Sequence, residues 1–100
     1  MVDAEEIGVV YRIPVSDLQP HPLNPYQVRD DDAMKELTSS IQKHGVLVPV
    51  IARKKEDGFE LIAGHRRQHA AQLAGMDSIP VLVLELDDDD AIIQLVDSNI

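Results

Sequence analysis

Four of the chain's five glycines stand at positions 45, 58, 64 and 75, and the residues between them leave little choice of structure. Val46 to Lys54 is a β-branched run, Glu56-Asp57-Gly58 supplies turn chemistry, and Phe59-Glu60-Leu61-Ile62 alternates apolar and polar. Two β-prone runs separated by a tight glycine turn fold back as a hairpin. Gly64 breaks the second strand, and Ala70, Ala71, Leu73 and Ala74 build a short helix that Gly75 closes. The flanks follow the same rules. Val9 to Val15 reads as an opening strand and Ser16-Asp17-Leu18 as a turn. Gln19 to Tyr26, with prolines at 20, 22 and 25, reads as a stiff extended loop. Met34, Leu37, Ile41 and His44 recur at three-to-four spacing before Gly45. That spacing predicts a helix of about three turns, capped by one of the preceding aspartates. Ile79 to Leu86 is nearly apolar throughout, which predicts a strand buried on both faces. Ala91 to Ile100 is amphipathic and stops in mid-pattern, as expected of a helix in a fragment of a longer protein. The expected fold is α/β (α+β): a small mixed sheet with a hairpin and three helices.

One hundred residues, 44% of them hydrophobic, suffice for one domain and not for two. Residues 1–8 are expected to be a tail and 9–100 the domain. The lack of cysteine excludes disulfides, thiolate ligands and cysteine nucleophiles. Three aromatic residues are too few for a base-stacking platform. An acidic start and short apolar runs argue against a signal peptide or a membrane span, so the expected location is cytoplasmic. Nine Lys+Arg against eighteen Asp+Glu leave a charge of −9, which argues against nucleic-acid binding by gross electrostatics. The acid is uneven. Asp30 to Asp32 and Asp87 to Asp90 each precede apolar residues at helical spacing, which marks helix starts at the positive end of the dipole rather than metal clusters.

The segment that carries chemistry is Leu61-Ile62-Ala63-Gly64-His65-Arg66-Arg67-Gln68-His69-Ala70. A strand ends in small residues and a helix opens with His-Arg-Arg. Cations at the positive end of a helix are locally unfavourable unless an anion is held there. Gly64 would let a phosphate approach the backbone, and arginine offers a bidentate fork. The competing interpretation is a solvated basic turn paired with Glu60 or Glu36. Arg29, at the end of the proline-rich loop, is either a second contact or a balance for Asp30 to Asp32. His65 and His69, at i and i+4, suit zinc geometry but lack an evident third ligand. Arg53, Lys54 and Lys55 read as a solvated basic edge of the hairpin.

Ile62-Ala63-Gly64-His65-Arg66-Arg67-Gln68-His69-Ala70, with Ala74-Gly75 and Ile79-Pro80-Val81, resembles the signature of the ParB family N-terminal domain, which usually reads G-E-R-R-x-R-A. Ile13-Pro14-Val15 with Leu18, Asn24-Pro25 with Arg29, Leu37-Ile41-Gly45 and Val48-Pro49-Val50 extend the resemblance over residues 9–100. It implies a fold shared with sulfiredoxin and a domain that binds CTP with magnesium to close a homodimeric clamp on DNA. The DNA would be read by a downstream helix-turn-helix domain, in plasmid or chromosome partitioning or in transcription regulation. Carried over by motif, Arg29, Gly64, His65, Arg66 and Arg67 are the candidate nucleotide- and phosphate-binding residues, and Asn99 would assist the metal. The chain departs from the pattern at four positions. His65 replaces Glu, His69 replaces Arg, Val48 replaces a glutamine implicated in hydrolysis, and Ser98 replaces a glutamate. Binding is therefore expected to outweigh hydrolysis. Sulfinic acid reduction is excluded, since no cysteine precedes His65. Two other functions remain open: an enzyme of the same fold (a nuclease or small-molecule phosphotransferase), and an interaction domain whose arginines meet an acidic partner.

Overall fold

The computed structural model describes residues 9–22 and 29–98. Five strands, β1 (Val9–Pro14), β2 (Leu18–Pro20), β3 (Val50–Lys55), β4 (Gly58–Ala63) and β5 (Ser78–Leu84), form one mixed sheet in the order β1-β5-β3-β4-β2. Three helices, α1 (Asp32–His44), α2 (His65–Leu73) and α3 (Asp88–Ser98), complete the domain. The expected fold class is the observed one. The tail 1–8, Asn24-Pro25 and Asn99 lie outside the described residues.

The helix ends form where the sequence places them. The Asp31 side chain accepts a hydrogen bond from the Met34 N–H at 2.9 Å and starts α1. Gly45, at φ 74°, ends it by donating to the Ile41 carbonyl at 2.8 Å. The Asp87 side chain accepts from the Asp90 N–H at 2.7 Å and starts α3.

One sheet face carries the main core of Ile13, Val15, Leu18, Val50, Ala52, Leu61, Ile79 and Val81, closed by Ala71 of α2. The neighbouring Ala70 points the other way, into Met34 and Ile41 of α1. The layers are thus sheet, α2, α1, and two alanines without long side chains let α2 sit between them. On the opposite face α3 packs against β4, with Ala91 fully buried.

Three expectations change. Leu18 to Pro20 is not turn and loop but the edge strand β2, parallel to β4 with Leu18 opposite Phe59. Proline is tolerated there because an edge strand need not donate on both sides. Residues 46–49 stay outside β3, since Pro49 has no N–H for a ladder. β5 is fully buried on one face only: Ile79 and Val81 are enclosed while Pro80 and Leu82 are half-buried, because α3 sits on β4.

The connection between β1 and β2 fixes the shape of the sheet. Only Val15–Asp17, one 3-10 turn, joins strands that occupy opposite edges. From Pro14 to Leu18 the chain reaches at most about 14 Å, whereas four strand spacings in a flat sheet need about 19 Å. The sheet is therefore curled, with the turn crossing its open end. There the Val15 N–H donates to the Asp77 carbonyl at 3.0 Å.

Candidate functional site

β4 delivers the chain to Gly64, whose φ of 94° lies in the left-handed region, and α2 begins at the next residue. A Cβ at Gly64 would lie 2.6 Å from Val50 Cγ1 and 3.1 Å from Val50 Cα. The missing side chain is thus required by packing on β3 as well as by backbone geometry. The N-terminus of α2 differs from the other two. No side chain caps it, no acid stands in its first turn, and Arg66 and Arg67 do. Both arginines are half-buried. The Arg67 guanidinium donates from Nη1 to the Pro49 carbonyl at 3.2 Å. That bond holds the side chain over a cleft of about 170 Å³ lined by Leu37, Ser40, Ile41 and the 45–48 segment. A helix end with no acid in its first turn and two guanidinium groups offers donors of the kind an anion accepts from.

His65 is in the same turn but faces inward. It is buried, and burial pushes its pKa below the ordinary 6.5. It is therefore a neutral ring at physiological pH and adds no charge for a phosphate. The unfolded chain then takes up this proton first as pH falls, so stability declines once pH drops below about 6.5 and goes on declining toward the folded pKa. His65→Gln is expected to flatten that part of the stability curve in denaturant titrations between pH 7.5 and 5.5. An unchanged slope would show that the ring is not buried neutral.

His69, one turn further along α2, meets the residue beside Arg29: its Nε2 lies 2.6 Å from Asp30 Oδ1. An ionised carboxylate only accepts, so Nε2–H is the donor. Arg29 itself is exposed. His65 and His69 do not converge on a metal, and among the described residues no group of three or more His, Asp or Glu is placed to hold one. Asn99, the residue that the resemblance gives to magnesium, lies outside the described residues.

The hairpin holds the largest departure from expectation. Arg53 is not a solvated edge residue; it is 5% exposed. Its Nε donates to Glu60 Oε1 at 2.8 Å, Nη2 to Asp88 Oδ1 at 2.9 Å and Nη1 to the Leu86 carbonyl at 3.2 Å. Burial alone would lower the Arg53 pKa, but the hydrogen bonds and attraction from Glu60 and Asp88 outweigh it and raise the value. The bond to Arg53 and its charge hold the Asp88 carboxylate below its usual range. His21 Nε2 lies 3.6 Å from the same Glu60 oxygen. Glu60 alternates with Leu61, which points into the α2 side of the sheet, so Glu60 faces α3 and does not pair with Arg66 or Arg67. The hairpin register, Lys55 opposite Gly58 and hence Arg53 opposite Glu60, was the signal that could have found this pair.

Known proteins match along the whole chain. The family model described as the ParB N-terminal domain matches residues 1–100. The Stage 0 sporulation protein J of Bacillus subtilis is 45% identical over 85 residues, covering 85% of this chain and 30% of that protein. A probable chromosome-partitioning protein ParB of Pseudomonas putida is 38% identical over 100 residues, covering 99% of this chain and 33% of its own length. The chain thus spans about a third of these relatives. Among solved structures, C-terminally truncated chromosome-partitioning protein ParB from Caulobacter crescentus, complexed with CTP-gamma-S, superposes with a TM-score of 0.81 at 32% identity, covering 93% of this chain and 53% of that one. Sulfiredoxin from Arabidopsis thaliana shares the fold, with a TM-score of 0.72 at 22% identity over 87% of this chain and 97% of its own.

Proposed function

This chain belongs to the ParB N-terminal domain family, and from that premise we propose that it is the nucleotide-binding switch of a DNA-binding partitioning protein. In this proposal it binds CTP with magnesium, and the bound nucleotide controls a homodimeric DNA clamp. DNA is read by a helix-turn-helix domain downstream, and the cytoplasm is the place of action. The observation that carries the proposal is the α2 N-terminus: two helices of the fold are capped by aspartate side chains, while this one has none and carries Arg66 and Arg67 instead. The relative complexed with CTP-gamma-S, at 32% identity, supports the choice of nucleotide.

Arg66 and Arg67 hold phosphate oxygens, with Gly64 keeping the turn tight. His65 supports the turn as a neutral, packed ring. Arg29 approaches the nucleotide from the segment that Asp30 joins to α2. Magnesium, when bound, neutralises phosphate charge, and Asn99 is the residue assigned to it. Val48, exposed beside the Arg67 cleft, offers no group to orient a water, so hydrolysis is slow. A nuclease would need carboxylates gathered about a metal, yet the buried Glu60 carboxylate is held by Arg53.

Calorimetric titration with CTP, ATP and GTP, each with magnesium, tests this function. Charge-assisted hydrogen bonds are worth about 1.5–3 kcal/mol, so Arg66→Ala or Arg67→Ala should weaken CTP roughly 10- to 100-fold with the fold intact. Equal affinity in wild type and both variants, or no uptake of any nucleotide, would leave an interaction domain that meets an acidic partner.

A further inference from the structure

We propose that His69 is a positioning residue: by holding Asp30 on α2 it fixes Arg29 beside the phosphate-binding turn and keeps the neighbouring carboxylate from occupying that arginine. The proposal rests on the nucleotide function above and names a device within the same site.

Each acid of the run Asp30-Asp31-Asp32 has a different task. Asp31 caps α1 through the Met34 N–H. Asp32 reaches Lys35 at 3.8 Å, an exposed pair one turn along the same helix. Among the described residues, Asp30 alone of the three turns to another element, bonding His69 at 2.6 Å. Its side chain is 69% exposed, so packing contributes little to its placement and the bond to His69 sets it.

α2 is a firm anchor for such a bond. Ala70 and Ala71, next to His69, are wholly buried between the sheet and α1. His69 also stands three residues after Arg66, on the same side of the helix. Arg29 is covalently next to Asp30, so the tie places its backbone within one residue of the α2 surface that bears Arg66. The tie has an electrostatic effect as well. An unrestrained Asp30, next to Arg29 in the chain, would compete with a phosphate for its guanidinium. Bound to His69, that carboxylate is directed onto α2.

The test combines backbone dynamics with affinity. In wild type, NMR order parameters for the Arg29 and Asp30 amides should lie near the rigid value of about 0.85 and fall toward about 0.6 in His69→Ala, with α2 unchanged. His69→Ala should weaken CTP about fivefold, the scale of an exposed ion pair. His69→Arg, which can still donate to the carboxylate, should restore both readouts. In an Arg29→Ala background, His69→Ala should have no further effect on affinity, since nothing remains to be positioned. Unchanged order parameters in His69→Ala overturn the tie, whatever the nucleotide does. Additive losses in the double variant overturn the positioning role and make His69 a contact in its own right. Wild-type protein that takes up no CTP, with the tie intact by NMR, overturns the nucleotide function and with it the purpose assigned to the tie.

Discussion

Gly64→Ala is expected to destabilise the domain by about 2–5 kcal/mol, the sum of a left-handed backbone penalty of about 1–2 kcal/mol and an overpacking cost of about 1–3 kcal/mol. The backbone contribution follows from φ 94°. The packing contribution follows from Val50, whose Cγ1, Cβ and Cα would lie 2.6, 2.9 and 3.1 Å from the new methyl. Val50 is wholly buried at the centre of the sheet core and has no room to withdraw. Native domains hold roughly 5–15 kcal/mol in reserve, so the loss is a large part of the total. Urea denaturation without nucleotide measures it. A variant as stable as wild type that merely binds phosphate worse would show that the glycine serves ligand approach and not packing. Adding Val50→Ala removes the Cγ1 contact but leaves Cβ at 2.9 Å, Cα at 3.1 Å and the φ penalty, so the double variant should recover only part of the loss, as a coupling between the two sites.

Arg53→Ala should cost about 3–5 kcal/mol, the usual result of leaving one member of a buried ion pair behind. Glu60, 7% exposed, would be left without its guanidinium, and the Leu86 carbonyl would lose a donor. The same substitution frees the start of α3, because Arg53 is what joins β3 to Asp88 and Leu86. Replacing both partners, Arg53→Met with Glu60→Leu, should recover most of the loss, since two apolar groups of similar volume need no partner. Denaturant midpoints for wild type, Arg53→Ala and the double variant decide the matter. A single variant no worse than a surface substitution, under about 0.5 kcal/mol, would mean the guanidinium is far more hydrated than its position implies.

The elements with local causes were legible in the sequence. Asp31 and Gly45 bracket α1, Asp87 starts α3, and Gly58 turns the hairpin, each through a bond spanning a few residues. β2 was not legible, because its reason for being a strand is Leu61 and its neighbours some forty positions away. A proline-rich run such as Gln19 to Pro22 carries a loop signal that only a parallel edge pairing overrides. At the site, the Gly64-His65-Arg66-Arg67 turn could be read from composition and from the strand-to-helix change around it. The inward orientation of His65 could not, since a histidine in a first turn looks the same in sequence whether it faces solvent or core. His69 and Asp30 meet only because α2 lies beside the start of α1, a placement set by Ala70 against Met34 and Ile41.

The curl of the sheet also orders events during synthesis. β1 and β2 leave the ribosome first, but Val9 pairs with Val83 and Leu18 with Phe59. At about 5–20 residues per second, Val9 waits roughly 4–15 s for its partner. Through that interval Val9-Val10-Tyr11 is a β-prone stretch with no strand beside it, the sort of segment that recruits a neighbouring chain. Arg12 and Pro14 follow it directly, and Pro20 stands in β2, as obstacles to such pairing. When β5 and β4 finally emerge, a single nascent segment supplies both edge strands of the sheet, and the outer side of β1, paired with no other strand among the described residues, stays guarded by Arg12 and Pro14 alone.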